Sequence, residues 1–413
     1  VTTYALVPVP PNITCDMLEA QFWLDRIERP ARAFLSAEGI DRFNAHVRAV
    51  MGIPDVLDLP DTLNAADVRA QIAQYRPPST CYDSAGQPLE AAYFETLLDQ
   101  TLPALPDRIP VTFGLAVQRT TLRSFPTDEI ITSQPFQFEF DRLQETTVDV
   151  GWPIAMLVTS RDGHWCFCLT PMYWGWIRIR DVAVGSREQI ARFVTAEAVV
   201  VTTAPRGGIG LESGGSLTPQ MGTTLPLVEE THEAYRVSVP ERDENGELRI
   251  STGIAAIANG HFSVGHLPCT QATLITQAFK LLGEPYAWGG LRLGIFGRDC
   301  SRLIRDVFAV TGVLLPRNTG QQERVGMAVA RFPAGLPDDE RKTLIVEQVP
   351  PGAVLALPGH VMLYLGHTDG TPYAIHATNS NGFSHVIVSD LHFGAQSASG
   401  SLLQRLTSAV TLG

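Results

Sequence analysis

The stretch that decides the fold runs Tyr286-Ala-Trp-Gly-Gly290 and resumes at Gly297-Arg-Asp-Cys-Ser301. It reads as a glycine-rich loop that feeds an Asp-Cys-Ser start to a helix. Leu303, Ile304, Val307 and Phe308 recur at helical spacing behind it. Asp299 has the chemistry of an N-cap, which puts Cys300 at the first helical position. Unpaired N–H groups and the positive end of the dipole lie there, and both favour a thiolate over a thiol. Cys300 is therefore a candidate nucleophile, and the chain can be searched for its base.

Two histidines answer that search. His360 follows Pro358-Gly359 and opens a strand-like run, Val361-Met-Leu-Tyr-Leu365. His376 lies in the next run, Tyr373-Ala-Ile-His-Ala377, across the hairpin signal Asp369-Gly370. At one end of adjacent antiparallel strands the two rings can touch. One would take the thiol proton and the other would hold its far nitrogen.

Outside this region the composition sets bounds. A chain of 413 residues exceeds one ordinary domain. Its 45% hydrophobic content is that of a folded protein. A net charge of -12 argues against nucleic acid and anionic membrane surfaces as partners. No apolar run is long enough to span a membrane, and Val1-Thr-Thr-Tyr-Ala-Leu-Val-Pro lacks the pattern of a signal peptide. The six cysteines form no CxxC pair, so no structural zinc site is expected; no metal or cofactor is expected elsewhere either. Cys166 and Cys168 read as core residues of one strand face, while a Cys15–Cys81 disulfide stays open.

Residues 1–112 are expected as a helical N-terminal domain, with amphipathic segments at 17–27, 31–51, 65–75 and 93–102 broken by prolines. His46 reads as a helix-surface residue. The pattern then turns to period two. Residues 113–189 and 190–266 are each expected as a small β-barrel, with hairpin signals at Arg161-Asp-Gly163 and Glu244-Asn-Gly246. Four of the six tryptophans fall between 152 and 176, which gives the first barrel an aromatic centre or groove. Residues 267–413 are α+β, with an amphipathic helix over 271–282 stopped by Gly283.

Two resemblances emerge. Trp165 to Asp181-Val-Ala, centred on Gly175-Trp-Ile-Arg, resembles the end of a bacterial SH3 domain; residues 190–266 repeat the strand character more faintly and are expected as a second SH3-like barrel. Pro285-Tyr-Ala-Trp-Gly-Gly290, Asp299-Cys-Ser301, Leu315-Pro-Arg-Asn-Thr319, Pro351-Gly-Ala353, Gly359-His-Val361 and Ile375-His-Ala377 together resemble an NlpC/P60 cysteine peptidase of papain-like fold. The arrangement is most similar to the YkfC-like subgroup. Two features depart from the family pattern: the loop between Gly290 and Asp299 is long, and Pro351-Gly-Ala lacks the usual acidic residue.

The resemblance implies a cell-wall hydrolase that cuts between γ-D-Glu and a diamino acid in peptidoglycan stem peptides. Cys300 would be the nucleophile, His360 the base and His376 the orienting residue. Tyr286, Asp299, Ser301 and Thr319 would contact substrate. In the subgroup the SH3 domain lends an aromatic and an acidic residue and admits only stems with a free N-terminal L-Ala. Tyr173 matches that aromatic, and Glu145 or Asp141 would be the acid. A monomer is expected, working in the envelope, periplasm or medium, or in cytoplasmic recycling. Two rival readings are a non-catalytic wall-binding protein and a lipid acyltransferase or amidase. Intact Cys300, His360 and His376 disfavour the first. The second is disfavoured because Cys300 precedes both histidines.

Overall fold

The computed structural model describes residues 8–412. Their contacts divide the chain into two compact units that do not follow chain order. One holds the chain up to Met51, then Leu267–Tyr286 and everything from Gly297 onward. The other holds Gly52–His266 and the short segment Ala287–Phe296. The expected helical N-terminal domain is thus divided: its helices Ala20–Leu24 and Ala37–Met51 lie in the first unit, and Ala65–Ala73 and Ala91–Thr101 in the second.

The first unit is built on a six-stranded antiparallel sheet. Its order is Met327–Arg331, Ser408–Thr411, Val354–Leu357, His360–Thr368, Thr371–Ser380, Phe383–Asp390. Strand His360–Thr368 is buried almost throughout, which is why it reads as an unbroken apolar run rather than an alternating one. Asp369 and Gly370 both take positive φ, 49° and 70°, and close the hairpin to the next strand. Helix Gln271–Lys280 is capped by Thr270, whose hydroxyl accepts from the N–H of Thr273 at 3.0 Å. The N-terminal segment is woven into this unit. Trp23 is fully buried against Tyr373, Ala33 pairs with Thr270, and Asn44 donates to the Gly312 carbonyl at 2.9 Å.

The second unit contains two seven-stranded antiparallel sheets. In one, Trp165–Leu169 and Trp174–Arg178 form the central hairpin, bounded at the ends of the sheet by Val182–Gly185 and Gln144–Val148. In the other, Ala234–Arg242 and Leu248–Ala256 pair over nine residues, and the short strand Ser216–Leu217 lies at an edge. Neither is a closed barrel, because closure requires the end strands to pair and these do not. The sheets share one apolar core, in which Phe113, Leu115 and Leu169 meet Val200, Leu225 and Val237. Helix Arg187–Val194, capped by Ser186, sends Ile190 and Phe193 into that core. The expected boundary after residue 189 therefore falls inside a helix.

Cys166 and Cys168 are buried, as core residues should be. The open Cys15–Cys81 pairing is not made, and both are free thiols. His46 lies exposed on its helix. No described helix is long and apolar enough to cross a membrane.

Candidate active site

Helix Cys300–Ala309 begins where its sequence predicts. The Asp299 carboxylate accepts from the N–H of Arg302 at 2.9 Å, so Asp299 is the N-cap and Cys300 the first helical residue. The helix is buried along its whole length. Leu303, Ile304, Val307 and Phe308 supply its apolar face, each worth about 1.5–3 kcal/mol. Arg298 and Arg302 donate to Asp306 at 2.8 and 2.7 Å, and these charged side chains are buried too.

Cys300 is 6% exposed, and its Sγ lies 4.0 Å from the Gly359 carbonyl. That places the thiol beside the first residues of strand His360–Thr368. His360 Nε2 meets His376 Nδ1 at 2.8 Å, which leaves Nδ1 of His360 as the ring nitrogen for the thiol. His376 Nε2 in turn meets the Ser389 hydroxyl at 3.1 Å. Register explains the relay. Leu363 pairs with Ile375, and Ala374 with Ser389, so His360, His376 and Ser389 lie diagonally on one face of three consecutive strands. Ser389 carries no sequence signal of its own. Its place beside His376 follows only from this pairing.

The electrostatics depart from the expected thiolate. Burial, reinforced by the neighbouring Asp299 charge, pushes the Cys300 thiol up to about 12. Burial, followed by the nearby Arg405, lowers His360 to about 4. His376 is held well below its ordinary range by burial and then by His360. Enclosure in low dielectric outweighs the helix dipole, so the resting pair is a neutral thiol and a neutral imidazole.

Asp299 and Ser301 lie on either side of Cys300, and Arg317 binds both. Its guanidinium donates to the two Asp299 oxygens at 3.0 and 2.5 Å and to the Ser301 hydroxyl at 2.7 Å. Sequence reading missed Arg317, although it sits within Leu315-Pro-Arg-Asn-Thr319. Gln322 fastens the next helix, Thr319–Val325, by donating to the Ser301 carbonyl at 2.9 Å. Thr319 stands half-buried at the start of that helix. Tyr286 is buried, and its N–H donates to the Ser384 carbonyl at 3.0 Å.

The other expected substrate residues belong to the second unit. Glu145 lies on strand Gln144–Val148, and Tyr173 just before strand Trp174–Arg178. Both are half-buried. Their charges bear on the Tyr75 hydroxyl, whose pKa is raised first by burial and then by Glu145 and Tyr173. Asp141, the alternative acid, is paired with Arg123 at 2.6 Å. Among the described residues no three His, Cys, Asp or Glu side chains gather as metal ligands.

The glycine loop packs within the second unit. Gly289 and Gly290 take φ of 61° and 89°, and a Cβ on them would strike Gln144 and Thr147 at 2.4 and 2.6 Å. Only glycine permits that approach. The long segment that follows is a small hairpin pairing Leu291–Arg292 with Ile295–Phe296, turned through Leu293 and Gly294 at φ 47° and 80°.

A buried cysteine at a helix start, beside the strand that opens with one of a pair of histidines, is an arrangement that thiol acyl transfer can use. Residues 283–399 match the NlpC/P60 family, and residues 133–178, upstream of it, match an SH3 domain of SH3b1 type. The chain is 32% identical over 139 residues to the gamma-D-glutamyl-L-lysine dipeptidyl-peptidase of Bacillus cereus, in a match covering 33% of this chain and 39% of that one. It is 33% identical over 105 residues to the peptidoglycan endopeptidase RipB of Mycobacterium tuberculosis, covering 23% and 39%. The chain thus spans about two fifths of the length of these curated relatives. In fold it resembles an NlpC/P60 endopeptidase from Photobacterium damselae subsp. piscicida, with a TM-score of 0.72 at 18% identity over 98% of each chain.

Proposed function

We propose that the chain is a cysteine endopeptidase that cleaves the γ-D-glutamyl–diamino acid bond of peptidoglycan stem peptides. The observation that carries this reading is the continuous relay from His360 through His376 to Ser389 beside the buried Cys300. As the sulfur attacks the γ-carbonyl carbon, its proton passes to His360. The oxyanion that forms is met by the N–H of Cys300, which lies in the first turn and has no helical partner. Collapse breaks the C–N bond, and His360 returns the proton to the departing amine. Water, deprotonated by the same ring, then hydrolyses the thioester. His376, held by Ser389, fixes the orientation and tautomer of His360 throughout.

Asp299, Ser301, Thr319 and Tyr286 serve in this reading as substrate contacts, with Tyr173 and Glu145 selecting stems that have a free L-Ala amine. The names of the relatives support the substrate class, and an envelope or extracellular site of action fits it. The test is mass spectrometry of muropeptide digests. Release of L-Ala-γ-D-Glu by the native chain, and none by Cys300→Ala, is expected. No release by either form would instead support the non-catalytic wall-binding alternative, and equal release by both would remove Cys300 as the nucleophile. Equal cleavage of N-acetylmuramoyl-linked stems would remove the free-amine requirement and leave the peptidase standing.

A further inference from the structure

Arg405 closes the short helix Leu402–Arg405, which Ser401 caps. Its neighbours are firmly held. Leu402, Leu403 and Leu406 are buried in the core of the first unit. The buried Arg341 donates to the carbonyls of Leu403 and Leu406 at 3.4 and 3.0 Å, on either side of Arg405. The Arg405 side chain itself is half-buried and makes no hydrogen bond or ion pair among the described residues. The carboxylate of Glu323, on helix Thr319–Val325, is taken instead by the hydroxyls of Thr407 and Ser408 at 2.9 and 2.6 Å. The backbone is fixed and the cation is left open.

Strand register sets Arg405 beside the reacting groups. The N–H of Thr407 donates to the Ala356 carbonyl at 2.9 Å, and Ser408 pairs with Ala356. Leu357, the next residue, pairs with His360 across the turn Pro358-Gly359, whose glycine carbonyl lies 4.0 Å from the Cys300 sulfur. Strand Ser408–Thr411 therefore starts at the end of the sheet that carries the base, and Arg405 lies just before that start. Its charge is felt there, because after burial it is the next cause that lowers His360. Asp299 acts on the same ring in the opposite sense, but Arg317 binds that carboxylate.

An open guanidinium beside a general base calls for an anion, and a carboxylate matches its planar fork. In acyl transfer His360 hands its proton to the departing nitrogen, so the leaving group lies against it. The carboxyl group of a diamino acid stands two bonds from that nitrogen. The α-carboxylate of the D-Glu on the acyl side is separated from the scissile carbonyl by three carbons.

We propose that Arg405 binds the free carboxylate of the leaving diamino acid, so that the chain prefers stems that end at that residue over stems extended or amidated there. The proposal rests on the peptidase reading above. A carboxylate seated on Arg405 also offsets the positive charge that disfavours a protonated His360, so the contact that anchors the leaving amine eases its protonation.

The probes are L-Ala-γ-D-Glu-L-Lys and the same tripeptide amidated at its lysine carboxyl, cleaved by the full-length protein and followed by mass spectrometry. The native chain should favour the free acid by about tenfold in kcat/KM, the worth of one hydrogen bond between charged groups. Arg405→Gln should bring that ratio close to one, and Arg405→Lys, which keeps the charge without the fork, should retain part of it. The ratio is taken within each protein, so a less stable variant still reports it. Equal cleavage of acid and amide by the native chain would overturn the proposal and leave the peptidase standing. A preference that survives in Arg405→Gln would do the same, and so would an Arg405-dependent preference set by the D-Glu carboxylate instead. Calorimetric titration of both tripeptides into Cys300→Ala protein covers the remaining case. An Arg405-dependent preference for the acid in binding, with no hydrolysis by the native chain, would refute the peptidase reading and leave the carboxylate contact in place.

Discussion

Replacing Ser389 by alanine removes the hydroxyl that holds the far nitrogen of His376. One orienting hydrogen bond is worth about 1 kcal/mol, so kcat is expected to fall about fivefold with KM unchanged. An unchanged kcat would mean that the relay ends at His376. The protonation states give a second outcome. His360 sits at about 4, and it can accept the thiol proton only when neutral. The acid limb of kcat/KM for a soluble stem peptide should therefore fall near pH 4, with activity retained at pH 5.5. An inflection at 6.5 would show that His360 is more solvated than its surroundings imply. Ser389 also marks what sequence does not display. A serine in a strand has no motif, and only the pairing of Ala374 with Ser389 brings it beside the histidine.

The nucleophile helix is anchored by charge as well as by apolar packing. Asp306 is fully buried and accepts from Arg298, Arg302 and Arg305 at 2.8, 2.7 and 3.3 Å. Asp306→Asn leaves three guanidiniums around a neutral group. Removing one partner from such a buried cluster costs about 3–5 kcal/mol, which urea unfolding would measure. A loss under about 1 kcal/mol would show that solvent reaches the cluster. At this scale the sequence was informative where the signal is local. The N-cap at Asp299, the apolar stripe behind Cys300, the Asp369-Gly370 turn and the two histidine strands could all be read within a few residues. The state of the thiol could not, because dipole and burial oppose each other and burial is set by distant residues. The same holds for the two sheets. Period two indicated strands, but whether end strands meet to close a barrel depends on twist and stagger that alternation does not encode.

Across the whole molecule, chain order and spatial order part company. The first residues described are tied to the catalytic unit through Trp23 and Asn44. Trp23→Ala should cost about 3–5 kcal/mol, the usual penalty for emptying a large buried aromatic site. A fragment beginning at residue 267 should fold poorly by circular dichroism for the same reason. A native-like spectrum from that fragment would show the N-terminal segment to be dispensable. Stability should also depend on pH. His360 and His376 bind protons less readily in the folded chain than in the unfolded one, where the ordinary value is 6.5. As pH falls below 6.5 the unfolded state gains protons first, so unfolding free energy declines toward pH 4. His376→Asn should flatten part of that decline in melts taken from pH 7 to 4.5, and an unaltered slope would exclude His376 as a contributor.

The divided catalytic unit also has a consequence in time. Its opening segment, up to Met51, emerges from the ribosome long before Leu267. At the usual pace of elongation the intervening residues take on the order of 10–40 s to make. During that interval the early segment has no partner on which to fold, and neither the cysteine nor its histidines yet exist. On the reading proposed above, thiol chemistry could begin only once these later strands have been completed.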